Sequence, residues 1–381
     1  MTVRVSVLAA AGLSLIAVTY GLARFAYGLF LPELRDEFEL GGGTAGAIAA
    51  SSYVGYCVAI VAATLLTPRW GARLVAVAAG LAAVAGMALI AAAATTAVLA
   101  AGVVIAGSST GLASPPLADA VARWVSADRR SRIQTVVNAG TGLGVMVSGP
   151  VALLVDASWR TAWWVFAATA AVVTAWTAIA VPRRDDRGRD APTAKKLPSP
   201  LLPAGAPRLL AAAAVAGLAS SAVWTFGREI AIATCGLSLQ ASTIMWIVLG
   251  AAGLLAAFTG DLAARVGPTV AWSAATLTLA AATACFALAA GPAIFVAAAA
   301  FGAVYIALTG LLLLSGTHVY PDAPAFGVGA AFLLLAVGQA VGAPLIGVAA
   351  DLTSQPTAFL TAAAAAAAAV ALRPTTAAAG R

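Results

Sequence analysis

Residues 5–31 read VSVLAAAGLSLIAVTYGLARFAYGLFL, and one charge, Arg24, interrupts them. About 20 apolar residues rising roughly 1.5 Å each cross the hydrocarbon of a bilayer, so the stretch reads as a membrane-spanning helix. An arginine inside such a helix costs at least about 3 kcal/mol on insertion scales. A second apolar stretch opens at Leu209, and its Trp224-Thr225-Phe226-Gly227-Arg228-Glu229 again sets an arginine late in the helix. Counted from Val5 and Leu209, Arg24 and Arg228 occupy the same position. Two such arginines predict two related halves with a site between them.

Composition agrees with a membrane setting. The 381 residues are 62% hydrophobic and 9% charged, against about 25% charged in soluble domains. Mean hydropathy is +0.98. The net charge of +7 comes from loop arginines and is no nucleic-acid signal. Cys57, Cys235 and Cys285 fall in expected helices at unrelated spacing and read as packing residues. The first helix is too long for a signal-peptide apolar region and is expected to be retained.

Twelve spans are expected, at about 5–31, 44–67, 74–94, 97–118, 133–155, 161–181, 209–235, 241–260, 269–290, 292–316, 327–350 and 356–373, with Gly and Pro between them. With a cytoplasmic N-terminus, seventeen of the 21 Lys and Arg fall on that side, against only Arg35 and Arg160 on the other. That bias orients the chain with both termini in the cytoplasm. The first external loop carries Glu33, Asp36, Glu37 and Glu39, expected as solvated acids. Residues 182–208 form a charged, then Pro- and Ala-rich tract, read as a cytoplasmic linker. It divides the chain into a six-helix bundle over 1–181 and another over 209–381.

The six-plus-six plan meets specific motifs. Gly260-Asp261-Leu262-Ala263-Ala264-Arg265-Val266-Gly267 resembles the G-x-L-A-D-R-x-G loop of the major facilitator superfamily. Thr64-Leu65-Leu66-Thr67-Pro68-Arg69-Trp70-Gly71-Ala72-Arg73 is its first-half counterpart, without the leading glycine. Both copies depart at the acidic position, as Ala264 and Pro68. The end of the fifth span, Gly149-Pro150 then Asp156 and Trp159-Arg160, is matched by Gly342-Ala343-Pro344 then Asp351 and Phe359. The Arg-Phe-Ala-Tyr-Gly run also resembles the first helix of a group of bacterial members. The resemblance implies an all-α membrane protein, its twelve transmembrane helices in two pseudo-symmetric six-helix bundles. It implies a central cavity and alternating access. Gly260, Asp261, Arg265, Gly267, Arg69, Gly71 and Arg73 are then the gating residues.

Within the spans, Arg24 and Arg228 suit an anionic solute, because the planar guanidinium binds carboxylate or phosphate through two parallel hydrogen bonds. Snorkelling of Arg24 to the headgroups is the bland alternative. Organic-phosphate antiporters of the superfamily are similar in placing one arginine on each of these helices. Tyr20, Tyr27 and Trp224 are candidate lining residues, as are Tyr53, Tyr56, Trp246 and Tyr305. Asn138 and Gln339 are polar candidates that also suit interhelical hydrogen bonds. Glu229, the acid well inside a span, is the proton-coupling candidate. It points about 100° away from Arg228 and forms no face-to-face pair with it. His318, the single histidine, is expected in a loop with no second metal ligand nearby.

Gly107-Ser108-Ser109-Thr110-Gly111 matches G-x-S-x-G, but a nucleophile needs a base within reach and no histidine lies in any span, so an enzyme is set aside. A sensor would carry a large soluble segment, and no stretch of these residues reads as one. With no G-x-x-x-x-G-K-[ST] loop, the expected energy source is a gradient, and no cofactor or metal is expected. The reading is a monomeric secondary transporter of the bacterial inner membrane. Its partners are a small-molecule substrate, the lipid bilayer, and protons or a counter-substrate. An organic anion leads, and proton-driven efflux of amphipathic drugs or sugars is the alternative.

Overall fold

A hydrocarbon environment leaves every backbone N–H and C=O to be satisfied within the chain, and an unbroken helix does so locally. The computed structural model describes residues 5–155, 158–183, 199–288, 291–321 and 323–373, and among them the regular structure is helical throughout. Twelve helices are long and apolar enough to cross a membrane: α1 Val5–Phe38, α2 Gly42–Trp70, α3 Ala72–Ala91, α4 Thr96–Trp124, α5 Ala127–Leu154 and α6 Trp159–Ala180. They continue with α7 Ala206–Ala233, α8 Leu239–Phe258, α9 Pro268–Leu288, α10 Ala293–Val319, α11 Pro324–Leu352 and α12 Gln355–Leu372. Each expected span is present. Asp156 and most of the expected linker, including Lys195 and Lys196, lie outside the described residues.

Several helix starts follow from local sequence. Thr95, Ser158, Ser238 and Ser354 stand at the N-caps of α4, α6, α8 and α12, and each Oγ accepts from the backbone N–H three residues on, at 3.1–3.4 Å. Boundaries differ from expectation at Pro32 and Pro68, before which spans were taken to end. α1 does not stop at Leu31; it runs through Pro32 to Phe38. Pro68, Pro115, Pro116, Pro150 and Pro344 also lie inside helices. Neighbouring helices and local adjustments satisfy the groups that proline frees in membrane helices. Glu33, Asp36 and Glu37, assigned to a solvated loop, therefore occupy the last turns of α1, and Glu39 follows as its C-cap. Glu37 is an anchor there: its carboxylate accepts from Trp159 Nε1 at 2.7 Å and pairs with Arg160 at 2.8 Å. His318, expected in a loop, sits in the last turn of α10.

The chain falls into two compact units, Met1–Glu39 with Ser51–Ala194, and Leu40–Ala50 with Lys195–Arg381. In the first, α1 packs on α5, and α3 on α4 and α6; in the second, α7 packs on α11, and α9 on α10 and α12. Glycine sets the closest approaches. Gly140 faces the Leu13 carbonyl, and Gly144 faces Ala17 and Gly21 across α1/α5. Gly217, Gly338 and Gly342 do the same across α7/α11. A side chain at any of these would strike backbone, so the backbones touch as membrane helices with small residues do.

The units differ at two places. Residues 17–25 of α1 form a π-helical segment, and α7 has no counterpart. α8 ends in a 3-10 turn, Leu254–Phe258, before the short helix Thr259–Val266, whereas α2 runs unbroken to Trp70.

Candidate functional site

Nine residues of π-helix carry Tyr20, Arg24 and Phe25. A π segment inserts extra backbone into a helical turn and is often found at functional sites. It turns Arg24 inward: the side chain is 7% exposed. Its guanidinium carbon lies 4.5 Å from the ring centre of Tyr53, 4.9 Å from Tyr56, 5.1 Å from Phe25 and 5.8 Å from Tyr20. Tyr20 is held by a hydrogen bond with Ser114 Oγ on α4, 2.9 Å, and its ring meets Tyr56 edge-on at 6.4 Å. Each desolvated cation–π contact is worth up to about 2 kcal/mol, so the rings offset much of the cost of burying the charge. Fourteen helical residues follow Arg24 in α1 (38 − 24), about 21 Å of rise, too far for an arginine side chain to reach that end.

Arg228 sits differently. It is 3% exposed and has five helical residues after it (233 − 228). Its Nε donates to Ser242 Oγ at 3.0 Å, and its Nη2 donates to Thr243 Oγ1 at 3.2 Å and to the Leu239 carbonyl at 3.3 Å. These acceptors form the first turn of α8, so Arg228 braces α7 against the start of α8. The next residue, Glu229, points to another neighbour, and its Oε1 accepts from Gln355 Nε2 at the start of α12. The 100° offset between adjacent helical residues sends the two charges to different helices.

Trp224, one turn before Arg228, is buried against Tyr305 at 5.1 Å, Phe301 at 5.6 Å and Trp246 at 5.9 Å between ring centres. Gln339 on α11 donates to Tyr305 Oη at 3.0 Å. Trp224 and Gln339 thus meet at Tyr305 in the second unit, while Tyr20 and Arg24 meet in the first. Tyr27 is buried on α1 beyond the π segment. Asn138 is half-buried on α5. Ser114, Ser242, Thr243 and Gln355 were not singled out from sequence, although each is a polar residue in or capping an apolar helix.

The loop residues show the repeat most sharply. Gly71 and Gly267 both close a helix with φ/ψ of 84°/156° and 85°/146°, a region open essentially only to glycine. Arg69 and Arg265 are exposed beside them. Arg73 donates from Nε to the Val181 carbonyl at 2.5 Å, a cation at the C-terminal end of α6. Gly260, Asp261 and Ala264 lie outside the residues whose side-chain surroundings are described. Among the described residues no three His, Cys, Asp or Glu side chains group to hold a metal ion.

Twelve apolar helices, two units of matching internal packing and a repeated glycine-closed loop define a multi-pass membrane transporter, not an enzyme. The chain belongs to the Major Facilitator Superfamily, whose pattern it matches over residues 13–334. Its structure is similar to that of the nucleoside transporter NupG, with a TM-score of 0.74 over 96% of this chain and 98% of that one, at 14% identity. That likeness concerns the fold. No curated protein matches the sequence.

Proposed function

We propose that the chain is a secondary active transporter that moves a small organic anion across the cytoplasmic membrane of a bacterium by alternating access. One observation carries this reading: Arg24 is buried in the interior of α1 with its charge held against four aromatic rings. Ring faces attract a guanidinium, and a guanidinium is a planar two-point donor to carboxylate or phosphate. Driving force comes from protons or from exchange with a counter-substrate, and Glu229, with Gln355 on one oxygen, is our candidate for the proton-carrying group. The bundles 1–181 and 209–381, joined by the linker 182–208, act as a monomer with both termini in the cytoplasm. The loops at Gly71 and Gly267, with their arginines, are the gating elements.

A second reading rests on the aromatic cluster of the second unit. Trp224, Trp246, Phe301 and Tyr305, with the Gln339 amide among them, suit a neutral ring-bearing solute, which fits proton-driven efflux of drugs or sugars. NupG, of similar fold, is a nucleoside transporter. A thermal-shift screen of the purified protein against anionic, neutral and cationic small molecules separates the two. Stabilisation by carboxylates or phosphates is expected. Stabilisation by neutral ring compounds alone would move the second reading ahead.

A further inference from the structure

Two arginines meet at one end of the first unit. Arg73 is the second residue of α3, seven before Gly80, and so lies on the same face of the helix. That face packs on α6, where Gly80 faces Thr174. From there Arg73 reaches the end of α6: its Nε donates to the Val181 carbonyl at 2.5 Å and its Nη2 to the Ile179 carbonyl at 3.5 Å. Arg183 follows two residues after Val181, is exposed, and stands close enough for its charge to act on Arg73. Neither α3 nor α6 contains an acidic residue. Among the described residues no carboxylate pairs with either arginine.

A carbonyl accepts a hydrogen bond but brings no charge. Two guanidinium groups near one another repel, and the two carbonyls occupy only part of the five N–H donors of Arg73. α6 therefore fixes one guanidinium in place, Arg183 adds a second, and the counter-charge has to come from outside these two helices.

The surface beside the pair indicates which anion fits. On α6, Val165, Val172, Trp176 and Ile179 are all exposed, and at about 100° per residue they fall within about 60° of one another. The stripe ends at Ile179, whose own carbonyl accepts from Arg73. Its rise from Val165 to Ile179 is about 21 Å, more than the roughly 15 Å of hydrocarbon in one leaflet. Trp70 and Leu74, close to Arg73 along the chain, are exposed as well, and tryptophan favours the headgroup level. A free phosphate would leave this apolar surface unused, whereas a phospholipid matches both parts. We propose that Arg73 and Arg183 hold the phosphate of an anionic phospholipid whose acyl chain lies along the outer stripe of α6. The lipid supplies the counter-charge that the two helices lack and ties the start of α3 to the end of α6. A zwitterionic headgroup carries a cation beside its phosphate, which two arginines repel, so the site selects for net negative charge. The proposal is independent of the solute carried.

The test uses the purified full chain in a neutral detergent and reads the unfolding midpoint as dioleoyl phosphatidylglycerol, dioleoyl phosphatidylcholine or inorganic phosphate is added. Phosphatidylglycerol should raise the midpoint more than phosphatidylcholine at equal amounts, and inorganic phosphate should leave it in place. Arg183→Gln, which keeps the Arg73 bonds to α6, should raise the half-saturating amount of phosphatidylglycerol about fivefold, the usual worth of one basic residue at an anionic lipid surface. Arg123→Gln, at an exposed arginine of α4 paired with Asp119, should leave that amount unchanged. Equal responses to the two lipids would mean that the charge is not read. Equal stabilisation by inorganic phosphate would make the ligand a solute and not a lipid. A loss at Arg123→Gln as large as at Arg183→Gln would reduce the effect to overall surface charge. Each of these results, or an unchanged half-saturating amount for Arg183→Gln, overturns the proposal.

Discussion

Replacing Arg24 with lysine should weaken binding of an anionic solute at least about tenfold. The guanidinium is seated with four ring centres between 4.5 and 5.8 Å of its central carbon. A lysine ammonium keeps the charge, and some attraction to the rings, but it is a point donor without a plane. It cannot lie along the Tyr53 and Tyr56 rings and offer two parallel N–H groups at once. Loss of one charge-assisted hydrogen bond is worth about 1.5–3 kcal/mol, and about 1.4 kcal/mol is tenfold in Kd. Arg24→Leu, which removes the charge but keeps the bulk, should abolish the response. The assay is thermal stabilisation by titrated carboxylates and phosphates, with uptake into proteoliposomes at matched protein content. Midpoints of unfolding without ligand should move little for Arg24→Leu, because the cost of the buried charge goes with it. If Arg24→Lys binds and transports anions like the parent, the fork is unused and the anion site does not lie on Arg24.

Arg228→Lys should behave in the opposite way: with up to three hydrogen bonds to the start of α8 at risk, it should cost about 2–4 kcal/mol of stability, read as a lowered unfolding midpoint, while leaving the anion response of Arg24 in place. Gly144→Val should sharply lower the folded yield on a size-exclusion column, because its Cβ would strike the Ala17 carbonyl and Gly21 Cα; Gly329→Val, where nothing lies within 4 Å of the added carbon, should be nearly silent. Gly71→Ala and Gly267→Ala should each destabilise by about 1–3 kcal/mol through backbone strain alone, and similar losses at the two positions in denaturation curves would check the equivalence of the two loops.

The amino-acid sequence by itself determined the solvent, the number of spans and their pairing into two sixes. Those features rest on apolar run length and loop punctuation, which are local. It also marked the loops at Gly71 and Gly267, through their resemblance to the loop of the superfamily. Tertiary structure alone decided what the two buried arginines touch. At similar positions in similar helices, Arg24 was met by rings from a π segment and from α2, and Arg228 by hydroxyls from α8. No periodicity in α1 announces the π segment, because the extra residue is accommodated where Gly21 and Gly144 bring two backbones together. Pro32 read as a stop because proline removes one N–H, yet the helix continued because the fold around it tolerates the gap. The bond from Arg73 to the Val181 carbonyl spans 108 residues, and only packing can bring such distant partners together.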